Sequence, residues 1–326
     1  MQKTNQKTEA FMQNGENTTT SENEISLNYE NKKQVAKGGL LGVFIGLAII
    51  VPGVSGAAVS IIFGLYEKLL YAMGNIFKKF KRCFLFLLPI ILGGIVGIVG
   101  GFFGIKQLLN LFPFTVIALF AGLMLGSFPA ISDQLQDKSR TPLRNVLFIT
   151  GLLIPILTSV ISVVSGFSER SLENMQVWHY ILFIALGYAV AVTQIVPGLS
   201  ATALLMIFGY FTPLMNSVEF GLFHNLPVLL IFVCLFIGFI AGLLTFSKLL
   251  SRTIEKYRTN LFNLIAGLSL GAAVTMFFNP ETVAVYLSWT QSGFPVTEFI
   301  CGIVLFAAGI ALAYQLVKRE RRKNVK

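Results

Sequence analysis

The 326-residue chain is 55% hydrophobic and 12% charged, with a formal net charge of +10 and a mean hydropathy of +0.75. Apolar side chains on that scale exceed what a soluble domain can bury, so lipid is the expected solvent. The basic residues gather at the ends of apolar stretches instead of forming an aromatic-interleaved patch, which argues against a nucleic acid partner.

Residues 1–37 are rich in Asn, Gln, Thr, Glu and Lys. Such a composition cannot repay the entropy of ordering, and the segment is expected to be a disordered cytoplasmic tail. An apolar stretch interrupted by Pro-Gly follows, and a second one lies further along. Proline removes a backbone donor and restricts its predecessor, while glycine frees the chain to turn, so a straight helix is not expected at either place. The piece from Gly38 to Val51 would span about 21 Å at 1.5 Å per residue, short of a hydrocarbon core of about 30 Å. Re-entrant helical hairpins are therefore predicted over 38–76 and 179–215. A single kinked spanning helix at each place would give eight spans in all.

Between and after the hairpins run charge-free or nearly charge-free segments of the length needed to cross a bilayer. The predicted spans are 84–104, 113–132 and 146–166, then 227–246, 261–278 and 297–317. The segment 318–326 is a basic cytoplasmic tail.

The two halves resemble each other. Ile50-Val51-Pro52-Gly53-Val54-Ser55 recurs as Ile195-Val196-Pro197-Gly198-Leu199-Ser200, and the same shift of 145 residues superimposes Gly42 on Gly187, Phe63-Gly64 on Phe208-Gly209, Gly93 on Gly238, Gly97 on Gly242 and Ala121-Gly122-Leu123 on Ala266-Gly267-Leu268. One register kept over so long a stretch marks a duplicated unit. The expected fold is an all-α integral membrane protein with two repeats, 38–170 and 171–317, each a hairpin plus three spans. An odd number of spans per repeat inverts the second relative to the first.

Charge sets the sidedness, because cytoplasmic loops carry excess Lys and Arg. Lys32, Lys33 and Lys37 precede the first hairpin, and Lys78, Lys79, Lys81 and Arg82 follow it. Both its ends are thus predicted to be cytoplasmic. The second hairpin is flanked by Glu169, Arg170 and Glu173 before it and Glu219 and His224 after it, so its ends are predicted to face outside. Lys138, Arg140, Arg144, Lys248, Arg252, Lys256, Arg258 and the tail then fall inside, and only Lys106 breaks the pattern. Both termini are cytoplasmic in this reading.

Function is expected where the broken helices of inverted repeats meet near the membrane midplane. A Ser just after Pro-Gly can cap the helix that follows, and free amides at a helix start attract anions. Ser55 and Ser200 hold that position, with Gly56, Thr193, Gln194, Thr202 and Ser60 nearby. The alternative is a kink in which hydroxyls bond their own helix. Asp, Glu, Lys and Arg are absent from the expected midplane zone, so an anion would be held by amides and hydroxyls. Gly93-x3-Gly97 and Gly122-x3-Gly126, with their copies, read as helix contacts. Cys83, Cys234 and Cys301 lack metal-type spacing. His179 and His224 lack partners for catalysis. No cofactor, metal or enzymatic activity is expected.

The paired elbows, with Phe63-Gly64-Leu65-Tyr66-Glu67 after the first, resemble the bacterial polyprenyl-phosphate transporters of the PopT type, long catalogued as a domain of unknown function. The likeness spans about residues 38 to 317. It implies a flippase in the bacterial cell membrane that serves cell-wall biogenesis by returning undecaprenyl phosphate from the outer to the cytoplasmic leaflet. It also implies a phosphate site at the hairpin tips formed by Pro52, Gly53, Ser55, Pro197, Gly198 and Ser200, and Gly56, Gln194 and Thr202, adjacent in sequence, join them as candidate binding residues. A transporter or channel for a small soluble anion would use the same tips.

Overall fold

The computed structural model describes residues 25–50, 56–135, 141–165, 170–172, 175–219 and 226–324. Among these residues the regular structure is helical throughout, and six helices are long and apolar enough to cross a membrane. The protein is an all-α, multi-pass membrane protein.

The chain enters through α1 (Lys32–Ile50), short α2 (Gly56–Ile62) and α3 (Tyr66–Gly74). Asn31 starts α1 by accepting the Gln34 amide at 3.0 Å, the usual service of an Asn cap. Next come α4 (Phe80–Gly100), which widens into a π turn over Gly101–Ile105, and α5 (Lys106–Leu111). The first half ends with α6 (Pro113–Ser132) and α7 (Pro142–Ser165). The second half repeats the plan with α8 (Val177–Ile195), α9 (Ala201–Ile207) and α10 (Phe211–Glu219). It continues with α11 (Leu226–Thr275), α12 (Pro280–Ser292) and α13 (Val296–Asn324).

The bounds of α1, α2 and α3 recur in α8, α9 and α10 at the 145-residue shift, end for end. So do the contacts. A Cβ on Gly42 would collide with the Ile90 carbonyl, and one on Gly187 with the Leu235 carbonyl. Gly93 lies as close to the Gly39 carbonyl as Gly238 does to that of Ile184. Small residues let α1 and α4, and likewise α8 and α11, approach backbone to backbone, which is how helices associate in lipid. The halves also interlock, with α6 on α13 and α11 on α7. There Gly122 meets Phe306 as Gly267 meets Phe148, and Gly126 meets Ile310 as Gly271 meets Leu152. These two partner sets stand 158 residues apart, 13 more than the elbow shift, and 13 residues is the length of α12. The second half thus carries one inserted helix.

The arms on either side of each elbow pack together. In the first, the Phe44 and Phe63 rings lie 5.6 Å apart and Gly56 packs against Ile45. In the second, the Phe183 and Tyr210 rings meet at 4.9 Å, and the Arg170 amide, upstream of α8, donates to the Gly209 carbonyl at 3.0 Å. The returning arms break at Gly64 (φ +64°) and Gly209 (φ +75°). The Leu65 and Gly64 amides donate to the Ser60 and Ile61 carbonyls, and the Tyr210 and Gly209 amides to those of Leu205 and Met206. That is the same Schellman closure twice, and its left-handed position suits glycine.

Several expectations change. Residues 25–37 are ordered and not part of a disordered tail: Leu27 is buried, Tyr29 stacks on Phe86 and donates to its carbonyl, and α1 already begins at Lys32. Two apolar anchors suffice to fix a segment whose average composition is polar. The first arm therefore measures about 28 Å at 1.5 Å per residue, so the length argument from Gly38 to Val51 does not hold. The spans 227–246 and 261–278 lie on two helical segments of α11 that meet at the non-helical Tyr257 (φ −129°, ψ 38°), and the first of them runs on well beyond 246. Finally, α13 continues to Asn324, so most of the basic tail is helical.

Candidate functional site

The second elbow is fully described and shows how the sequence makes the turn. After Ile195 ends α8, Val196 is extended (φ −88°, ψ 115°), the conformation favoured before proline. Pro197 is buried. Gly198 has φ +99°, and a Cβ there would collide with the Leu268 carbonyl on α11. Only glycine meets both demands at once. Ser200 is extended, its Oγ accepts the Ala203 amide at 3.2 Å to cap α9, and it shares a 2.8 Å hydrogen bond with the Thr202 hydroxyl. Ser200 thus performs the predicted capping role. Gln194 is half-buried. Thr193 and Ser60 return their hydroxyls to their own helices, at the Val190 and Ala57 carbonyls.

Of the first-elbow residues, Pro52, Gly53 and Ser55 lie outside the described residues. Gly56 is buried at the start of α2. The arm leaving that elbow reaches the second elbow directly, because the buried Tyr66 hydroxyl donates to the Ile195 carbonyl at 3.0 Å. Ala57, Ile61, Tyr66 and Ile195 share one apolar cluster with Phe262, Ile265 and Ala266 of α11.

Beside Tyr66 is a charged cluster that links the halves. Arg258, next to the break in α11, donates to both Glu67 oxygens at 2.9 and 2.6 Å and to Gln134 at 2.5 Å. A forked guanidinium on a carboxylate is a strong, directional contact. A cavity of about 220 Å³ opens here, lined by Tyr66, Glu67, Lys68, Gln134, Gly64 and Phe262 among others. In the sequence Glu67 is a charge just beyond the first elbow, and its partner lies 191 residues away.

The reading also missed Glu281. That residue falls between the predicted spans 261–278 and 297–317, and α12 brings its carboxyl against the Thr202 hydroxyl. Both oxygens are buried, with no well-formed hydrogen bond and no charged partner. Asn279-Pro280 was the available signal, an Asn cap followed by proline in the first helical position. Asn279 indeed accepts the Thr282 amide at 2.8 Å. His179 has a structural duty instead of a chemical one: its Nδ1 accepts the Gln176 amide at 3.0 Å and its ring stacks on Trp178. No cluster of metal-ligating residues occurs among the described residues.

Comparison with known proteins now adds a family. Residues 45–293 match the VCA0040-like family, described as undecaprenyl phosphate translocase-like. The chain belongs to that family. A polyprenyl-phosphate transporter of Vibrio cholerae serotype O1 is 24% identical over 314 residues, covering 86% of this chain and 95% of that one. A polyprenyl-phosphate transporter of Staphylococcus aureus is 26% identical over 273 residues, covering 82% and 93%. No solved structure matches the chain. The matched region of the VCA0040-like family takes in both elbows, the Glu67 and Arg258 cluster and Glu281, and the family is one of translocases, not enzymes.

Proposed function

We propose that this protein carries a polyprenyl phosphate, undecaprenyl phosphate in bacteria, from the outer to the cytoplasmic leaflet of the plasma membrane by alternating access. The names of its relatives supply the substrate class. The observation that carries the mechanism is the Tyr66 to Ile195 bond, which ties the arm of one elbow to the other elbow.

In this reading the chain is two inverted repeats, 38–170 and 171–317, each a re-entrant hairpin and three spans. Recurring helix bounds and glycine contacts support the duplication, and the Lys and Arg distribution supports cytoplasmic termini. The phosphate is held between the elbows by Ser55, Gly56, Ser200 and Thr202, with Pro52, Gly53, Pro197 and Gly198 shaping the turns and Gln194 at the end of α8. Amides and hydroxyls suit a phosphate that must later be released, whereas a fixed lysine would hold it too firmly. The isoprenoid tail stays in lipid.

Energy must be supplied. Moving a negative charge toward a negative interior costs about 2.3 kcal/mol per charge per 100 mV.

Transport of fluorescent polyprenyl phosphate in proteoliposomes tests the function. Inward movement that falls in Ser200→Ala supports it. Uptake of a labelled soluble anion without lipid movement would replace it with a small-anion transporter. An epitope inserted beside Lys79 tests the topology: it should be reached only after the cells are opened, and labelling of intact cells would reject the hairpin.

A further inference from the structure

An acid in the first turn of a helix ordinarily faces water or takes up the free amides there. Glu281 is shielded from water and has no charged partner: its carboxyl reaches only its own amide and the hydroxyl of Thr202, itself bonded to the cap Ser200, without a well-formed hydrogen bond to either. The Nδ2 of Asn279 at the same helix start and the Oγ of Ser269, next to the Leu268 that abuts Gly198, are likewise buried without partners. Two unused donors thus lie close in sequence to groups that meet the second elbow, Ser269 beside Leu268 and Asn279 two residues before Glu281. A buried carboxylate costs far more than a buried carboxylic acid when it has no counterion. Ionisable groups held in this way inside membrane proteins mark proton or ion pathways.

The remaining titratable groups around α12 do not neutralise it. Tyr286 lies further along the same helix. Glu298 is occupied with the Phe114 amide at 2.8 Å. Asp133 and Arg144 sit at the ends of α6 and α7 remote from α12, which meets α6 at Phe114 and follows Phe278, whose carbonyl accepts the Ser159 hydroxyl of α7. The elbow and α9 carry no charge.

We infer that Glu281 is the proton-binding residue of the transport cycle, taking up one proton when the phosphate occupies the elbow site and releasing it after translocation. This rests on the function proposed above. The physical link is mutual: a phosphate held by the elbow hydroxyls, the Asn279 amide and the Ser269 hydroxyl repels a carboxylate beside it and so favours the acid form. A proton carried with each phosphate offsets one negative charge, and a pH gradient then drives lipid movement.

The test uses full-length protein in proteoliposomes carrying fluorescent polyprenyl phosphate, with and without an acid-outside gradient. Wild type should move the lipid faster inward under the gradient. Glu281→Gln should lose the response to the gradient, whatever rate it shows at equal pH. Wild type that moves no polyprenyl phosphate overturns the transport function and the coupling with it. Lipid movement in which Glu281→Gln keeps the gradient response overturns the coupling alone. Because the variant could fold poorly, the wild-type protein is also treated with dicyclohexylcarbodiimide, which modifies protonated carboxyls in apolar surroundings. Modification mapped to Glu281, falling as pH rises, supports the inference, and modification absent there or indifferent to pH overturns it.

Discussion

The Tyr66 hydroxyl and the Ile195 carbonyl, 129 positions apart, meet at 3.0 Å in a buried setting. Ile195 ends the helix that enters the second elbow, so its carbonyl is one of the acceptors left over at a helix terminus. Tyr66 begins the helix that leaves the first. The bond therefore satisfies a helix end and sets the separation of the two turns together. Replacing Tyr66 with Phe keeps the ring and strands the carbonyl. Stability should fall by about 1 kcal/mol, read as a lower melting temperature in detergent, and transport should fall further than stability does. Unchanged transport would mean that the separation of the elbows is set elsewhere.

Gly198 combines a left-handed backbone with contact against the Leu268 carbonyl, whereas Gly293, at φ +90°, has open space around it. Gly293→Ala meets the backbone penalty alone, about 1 to 2 kcal/mol. Gly198→Ala adds a collision with a neighbouring helix and should abolish the folded monodisperse peak in size-exclusion chromatography. Comparable behaviour of the two variants would show that the elbow can move off α11.

Gly42 and Gly187 make equivalent contacts with α4 and α11. Gly42→Val and Gly187→Val should lower the thermal midpoint by similar amounts, because each forces apart the same kind of helix pair. A large disparity would show that the two halves depend on these contacts unequally.

Arg258 holds Glu67 with both of its forks and also reaches Gln134. Lysine cannot reproduce that geometry. Arg258→Lys should therefore slow transport nearly as much as Glu67→Gln, while the exchange of both, Glu67→Arg with Arg258→Glu, should recover part of it. Transport rates in vesicles decide this, and a double variant no better than either single one would limit the pair to a surface role.

The sequence showed the duplication plainly because the elbow residues Pro-Gly-x-Ser and the interhelical glycines leave little freedom of residue type, so they survive in both copies in register. The starts of α6, α11 and α13 were also legible, since charge and hydropathy change together there. What escaped it depended on distance in space. Glu67 reads as an interfacial charge until Arg258 is brought to it by the break at Tyr257, which carries no Gly or Pro signal. Glu281 reads as a loop acid until α12 folds back on the second elbow. Leu27 and Tyr29 were hidden in polar surroundings and act through Phe86.

The account turns on both elbows touching the same phosphate. A polyprenyl phosphate analogue with a photoreactive group beside its phosphate, activated in membranes and mapped by peptide sequencing, examines that contact directly. The account predicts adducts in both 50–57 and 194–203, displaced by unmodified lipid. Adducts confined to one elbow, or spread over lipid-facing helices with neither elbow labelled, would contradict it.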